Sequence, residues 1–143
     1  MNQEGALLAV DQGTSSSRAI AFTVSGEILE VAQHAVGQIY PHPGWVEQDP
    51  EVIIARTLNS MHEVLHRLRQ RSIEVIAIGV TNQRETTVAW SRRTGLAIYN
   101  AISWQDRRTE DLCHRLAAQG EEERLSRTTG LRLDPYFSAS KMS

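Results

Sequence analysis

A single cysteine, Cys113, stands in the whole sequence. That excludes an intramolecular disulfide and suits a reducing, cytoplasmic setting. No basic stretch opens the chain, and its first apolar run, Ala6–Val10, is far too short for a secretion signal or a membrane span. Neither sign of charge dominates: the formal net charge of -2 gives no footing for a nucleic acid or an anionic membrane. Lysine is nearly missing. Lys141 is the only one, and the other fourteen of the fifteen basic residues are Arg, a skew that fits genomic base composition as well as phosphate chemistry. Cys113 itself has no base beside it in sequence and reads as a buried thiol on a helix.

The 41% hydrophobic and 22% charged fractions are those of a globular chain. At 143 residues it has the length of one ordinary domain. Ala6–Val10, Arg18–Val24 and Ile28–Gly37 read as three closely spaced strands with tight turns, an antiparallel meander. A Pro/Gly loop, Tyr40–Trp45, follows. Asp49 before Pro50 is an N-cap with proline in the first helical position. Ile54, Leu58, Met61, Leu65 and Leu68 then recur at helical spacing, predicting one apolar stripe on a helix of about five turns. Val75–Val80 has the composition of a strand buried on both faces. Thr87–Trp90 and Leu96–Asn100 flank a hairpin turn at Arg92–Gly95, and Thr109–Ala118 and Glu121–Thr128 read as helices parted at Gly120. Together these make an α/β unit with a mixed β-sheet in β-β-β-α-β order. The final segment, Pro135–Lys141, carries aromatic residues and no closing element, which predicts that the natural chain continues.

The run Asp11-Gln12-Gly13-Thr14-Ser15-Ser16-Ser17-Arg18 lies between the first two strands. Gly13 allows close backbone approach to an anion. Thr14, Ser15 and Ser16 add hydroxyls to the turn amides, so several neutral donors converge where phosphate oxygens would sit. Arg18 offers a charge-assisted fork. Asp11 would repel a bare phosphate but suits Mg²⁺ held directly or through water. The spacing matches neither the lysine-ended phosphate loop nor the dinucleotide fingerprint. The same residues also fit a polar hairpin turn with Arg18 opening the next strand, and composition does not choose between the two.

That motif between two N-terminal strands is similar to the first phosphate motif of the actin-like ATPase superfamily, and it most resembles the FGGY family of carbohydrate kinases. The resemblance implies a ribonuclease-H-like (actin-like ATPase) fold, ATP and Mg²⁺ as phosphate donor and metal, and a cytoplasmic enzyme. It makes residues 1–143 the N-terminal portion of the first kinase domain. Within the family, Gln38–Pro41, Gly44–Pro50, Thr81–Thr86, Asn100–Gln105 and Asp134–Ser138 resemble the glycerol kinases in particular, in the family's order along the chain. Other members carry different residues at Asn82-Gln83-Arg84-Glu85.

The resemblance implies that Arg84, Glu85 and Tyr136 hold the hydroxyls of glycerol while the Trp104 ring packs on its carbon chain. The chemistry is apt: a guanidinium only donates and an ionised carboxylate only accepts, so adjacent Arg84 and Glu85 would fix the direction of each hydroxyl. Taken singly, Arg84-Glu85 also fits a solvated surface pair worth under about 1 kcal/mol, and Trp104 and Tyr136 fit plain packing. The resemblance further implies glycerol 3-phosphate as product and a homo-oligomeric full-length enzyme. It places the catalytic Asp base and most of the adenosine pocket beyond these residues, so the chain alone is expected to be inactive.

Four readings compete. A non-kinase ATPase of the actin-like superfamily would keep the phosphate loop but have no use for an Arg84-Glu85 pocket. Another sugar kinase of the family would share the phosphate loop but prefer a different substrate. A non-catalytic chain would be stable only through a partner. His62-Glu63-Val64-Leu65-His66 fits H-E-x-x-H, in which two His bind zinc and the Glu activates water. Helix geometry sets these His about 80–120° from the apolar stripe, and no third ligand follows except a remote His114, so this reading is the weakest.

Overall fold

The computed structural model describes residues 5–143; residues 1–4, part of the expected domain span, lie outside the described residues. The chain divides into two compact units, one built from Met1–Gly37 and Asp49–Gln83, the other from Gln38–Gln48 and Arg84–Ser143.

The first unit holds β1 (Ala6–Gln12), β2 (Ser16–Phe22), β3 (Ile28–Ala35), α1 (Pro50–Gln70) and β5 (Val75–Thr81). A short β4 (Glu47–Gln48) precedes α1 in sequence and belongs to the second unit. The sheet order is β3-β2-β1-β5, antiparallel from β3 to β1 and parallel between β1 and β5. The expected β-β-β-α-β order with a mixed sheet is therefore present, α1 serving as the crossover that a parallel pair requires.

Alternation along β1 and β2 buries Ala6, Leu8, Val10, Ala19 and Ala21 under α1, where they meet Val64 and Leu68. The small Ala side chains on β2 and β3 let the helix lie close to the sheet. Asp49 caps α1 as expected: its Oδ1 accepts from the Glu51 amide at 2.9 Å, with Pro50 in the first turn.

The stripe on α1 differs from expectation at its N-terminal half. Ile54 and Leu58 are exposed, while Ser60, Val64 and Leu68 form the buried line. Polar residues take the inner face here because each hydroxyl finds partners. Ser60 donates to the Ser17 carbonyl at 3.0 Å, and Thr57 donates to the Ser17 hydroxyl at 2.9 Å. A satisfied hydroxyl is no burden in a core. Hydrophobic periodicity alone cannot register it.

The helix closes at Ser72, a non-glycine residue with φ +56°. The Ile73 amide reaches the Leu68 carbonyl at 3.0 Å and the Ser72 amide reaches Arg69 at 3.0 Å, the pattern of a left-handed C-terminal cap. Glycine suits that conformation better. Ser72→Gly is expected to stabilise the chain by up to about 1 kcal/mol, read as a rise in the urea midpoint; a lower midpoint would refute this.

β5 is not buried on both faces. Among the described residues it is one of the two edge strands, α1 packs mainly over β2 and β3, and Ile76, Ile78 and Val80 remain more than half exposed. Composition reports that a strand is apolar but not which place it takes in the sheet order.

The second unit pairs β4 with β6 (Ala101–Ile102) and adds α2 (Glu110–Ala118), α3 (Glu121–Thr129) and the short α4 (Ser138–Lys141). Gly120, at φ +82°, sits between α2 and α3 as the sequence predicts. The expected hairpin has its turn at Arg92–Gly95 but no regular ladder. Only the bridge Trp90↔Ala97 and scattered backbone bonds hold it, and Trp90, Leu96 and Ile98 are exposed instead of packed. Cys113 is buried, and that burial pushes its thiol pKa up. Among the described residues, no helix is long and apolar enough to cross a membrane.

Candidate functional site

In the first unit, the turn between β1 and β2 is closed by the Gly13 amide, which donates to the Ser16 carbonyl at 2.9 Å. A Cβ at Gly13 would stand 3.1 Å from that same oxygen, tighter than ordinary contact. A side chain at this position would press on the turn. The Gly13 amide serves the turn, so an anion would be met mainly by the residues that follow, of which Ser15 is exposed and Thr14 half-buried.

Register places Asp11 beside Arg18, and Arg18 beside Gln33 on β3. The Arg18 Nε donates to Gln33 Oε1 at 3.2 Å, and Gln33 Nε2 donates to the Ser16 hydroxyl at 2.7 Å. Gln33 therefore bridges two of the expected phosphate residues. The sequence alone did not single it out, because only strand register brings it there.

Among the described residues no group of three or more His, Cys, Asp or Glu could hold a metal ion. Asp11 would then give Mg²⁺ a single carboxylate, with waters and substrate phosphates completing the shell. That division is ordinary for Mg²⁺ bound with a nucleotide, so the residues present fit the group.

In the second unit, three of the four expected polyol residues are drawn together. Glu85 follows Arg84 in a turn and has φ +64°. Its Oε2 accepts from both the amide and the hydroxyl of Ser138, each at 2.7 Å. These bonds, with the charges of Lys141 and Arg84, hold the Glu85 carboxyl below the usual carboxylate range. The Tyr136 ring meets Trp104 edge-on at 5.9 Å and Phe137 at 5.1 Å. Lys141 Nζ donates to the carbonyls of Glu85 at 2.8 Å and Tyr136 at 2.7 Å. Burial lowers the pKa of that ammonium although three carboxylates oppose the shift. Arg84 is exposed beside Glu85.

The segment that carries Trp104 is anchored by a buried charge cluster. Glu47, Asp106 and Arg108 have side chains 2%, 1% and 12% exposed. Arg108 donates to Glu47 at 2.7 Å and to Asp106 at 2.8 and 2.9 Å. Asp106 also accepts from the Val46 amide, and Glu47 from Tyr99 and Asn100. The Arg108 guanidinium lies 3.8 Å from the Trp45 ring centroid. Burial alone would raise both carboxyl pKa values, but the hydrogen bonds outweigh it and both are lowered; Arg108 is raised for the matching reason. Trp45 packs as expected. Trp90, also assigned to packing, does not.

Two of the H-E-x-x-H residues are occupied otherwise. Glu63 pairs with Arg67 and with His34, and His66 bonds Gln70 at 3.0 Å. A Glu held by Arg67 one turn along is the reverse of a free base awaiting water.

Asp106, Arg108 and Lys141 lie outside the segments likened to the glycerol kinases; Glu47 and Ser138 lie inside Gly44–Pro50 and Asp134–Ser138, but nothing in sequence gave them a role. For Lys141 the one signal was that it is the sole lysine, five residues past Tyr136.

A model of the FGGY family of carbohydrate kinases, N-terminal domain, matches residues 6–143. The chain is 52% identical over 143 residues, all of its length, to a glycerol kinase of Nitrosomonas eutropha, and covers 29% of that protein. Among solved structures it is similar to Plasmodium falciparum glycerol kinase with ADP, at 34% identity and a TM-score of 0.93, covering 97% of this chain and 28% of that one. It also resembles the xylulose kinase of Rhodospirillum rubrum in fold, at 24% identity and a TM-score of 0.88, covering 96% of this chain and 28% of that one. The chain thus spans under a third of the length of the curated relatives it matches.

Proposed function

Since this chain belongs to the FGGY family of carbohydrate kinases, we propose that it supplies the polyol-binding residues and a phosphate-binding turn of a glycerol kinase. The reaction is ATP-dependent phosphorylation of glycerol to glycerol 3-phosphate, in the cytoplasm. The observation that carries this reading is the cluster in which Glu85, Tyr136 and Trp104 are tied together by Ser138, Lys141 and ring contact.

Glu85, ionised at neutral pH, accepts from glycerol hydroxyls, and Arg84 donates to them. Trp104 and Tyr136 give the carbon chain an apolar wall. Ser15 and Thr14, with Arg18 braced by Gln33, hold phosphate oxygens through neutral and charged donors. Asp11 would hold Mg²⁺, directly or through water, and that ion would neutralise phosphate charge. We assign residues 6–143 to the N-terminal portion of the first kinase domain, with the base that takes the hydroxyl proton supplied from outside them. The relatives named glycerol kinase support the substrate, and a site that hydrogen-bonds each hydroxyl rejects analogues lacking one by about 10⁴-fold or more.

The test is a coupled assay of the full-length protein that carries these residues, with glycerol, a ketopentose and an aldonic acid. Glycerol is expected to give the highest kcat/KM. A preference for either of the others would overturn the assignment while leaving the family untouched.

A further inference from the structure

Glu85 holds a backbone conformation, φ +64°, that an L-residue with a long side chain adopts at a cost. Ser72, the other non-glycine residue at positive φ among those described, closes a helix, where that conformation is routine. Glu85 closes none. A glycine or asparagine would fit the turn more easily, so the side chain itself is what the position retains.

Two residues outside the expected polyol set hold it there. Ser138 places two donors, amide and hydroxyl, on the single oxygen Oε2. Lys141 bonds the carbonyl of Glu85 and the carbonyl of Tyr136, joining the backbones of two residues 51 positions apart, the difference between 136 and 85. Both come from one short stretch at the start of α4 and its end. We propose that Ser138 and Lys141 are positioning residues for polyol recognition: Ser138 fixes the Glu85 carboxylate by Oε2 so that Oε1 is presented to a substrate hydroxyl, and Lys141 fixes the Glu85–Tyr136 spacing. This rests on the glycerol reading for the identity of the substrate, though not for the clamp.

Neither residue touches substrate in this account, so the effects appear in substrate affinity. In the full-length protein, Ser138→Ala is expected to raise the KM for glycerol about tenfold, as loss of one hydrogen bond to a charged group does, with the KM for ATP unchanged. Ser138→Thr, which keeps the hydroxyl, restores it. Lys141→Met has the same direction, and Lys141→Arg restores it in part. In a Glu85→Gln background, Ser138→Ala adds nothing further, an outcome that a general loss of folding would not produce. Equal effects on the two substrates, or full additivity with Glu85→Gln, overturn the proposal.

A second measurement does not need turnover. Carbon-detected NMR titration of the Glu85 carboxyl should show its pKa rising toward the ordinary value in Ser138→Ala and staying low in Ser138→Thr; no change in either sinks the clamp. A parent protein that phosphorylates a ketopentose but not glycerol refutes the glycerol reading alone, because the same variants then apply to that substrate.

Discussion

Arg84→Ala is expected to lower kcat/KM for glycerol about 10²-fold or more in the full-length protein, the loss of two charge-assisted hydrogen bonds at roughly 1.5–3 kcal/mol each. Arg84 is exposed and outside every buried cluster described above, so its truncation should leave the urea midpoint nearly unmoved. Basal ATP hydrolysis should fall far less than glycerol phosphorylation, since the guanidinium is assigned to the acceptor and not to the nucleotide. Equal losses in both reactions would remove Arg84 from the polyol site. The partner carboxylate adds a pH expectation. Glu85 has its pKa lowered below 4.5, so its ionised, accepting form persists as pH falls from neutral to that value. Glycerol affinity should accordingly stay flat over that interval, measured by calorimetry; a decline centred above pH 4.5 would contradict the Ser138 clamp.

The largest stability effect is expected from Arg108→Met. It would leave two carboxylates, 2% and 1% exposed, without their shared cation. Breaking a buried pair by removing one partner costs about 3–5 kcal/mol, which is a large share of the roughly 5–15 kcal/mol by which a domain is stable. Denaturant unfolding checks the figure, and a loss below about 1 kcal/mol would mean that water reaches the cluster.

The sign of the pH dependence follows from the shifts. Both Glu47 and Asp106 have folded-state pKa values below their ordinary 4.5 and 3.8. Their contribution in the parent is therefore complete above those values and is lost as pH falls through the lower, folded-state ones. Without Arg108 the burial that raises both pKa values is unopposed by its bonds. The variant should then recover stability relative to the parent as pH drops from 7 toward 4. Activity would suffer too, because Asp106 lies two residues past Trp104 and holds the Val46 amide at 2.7 Å.

The sequence by itself determined whatever is local. Asp49-Pro50 starts α1 because capping is a matter of adjacent residues, and Gly120 parts two helices because it alone accepts φ +82° without strain. The succession of three strands, a helix and a further strand along the chain followed from short apolar runs, tight turns and helical spacing, though the two-residue β4 did not. Family likeness then carried Arg84, Glu85, Trp104 and Tyr136 as a set.

Tertiary structure decided everything that depends on which distant segment lies opposite. Ile54 and Leu58 face solvent because Ser17 on β2 offers hydrogen bonds to Thr57 and Ser60 instead. Val75–Thr81 is apolar yet exposed in this chain because it lies at a sheet edge that α1 does not cover. Gln33 joins Ser16 and Arg18 only through register. Ser138 and Lys141 reach Glu85 only when residues more than fifty apart are folded together, and no periodicity in the chain encodes that meeting. A pairing between distant segments is fixed by the sum of many weak contacts over the whole unit, so it is written in the fold and not in any one motif.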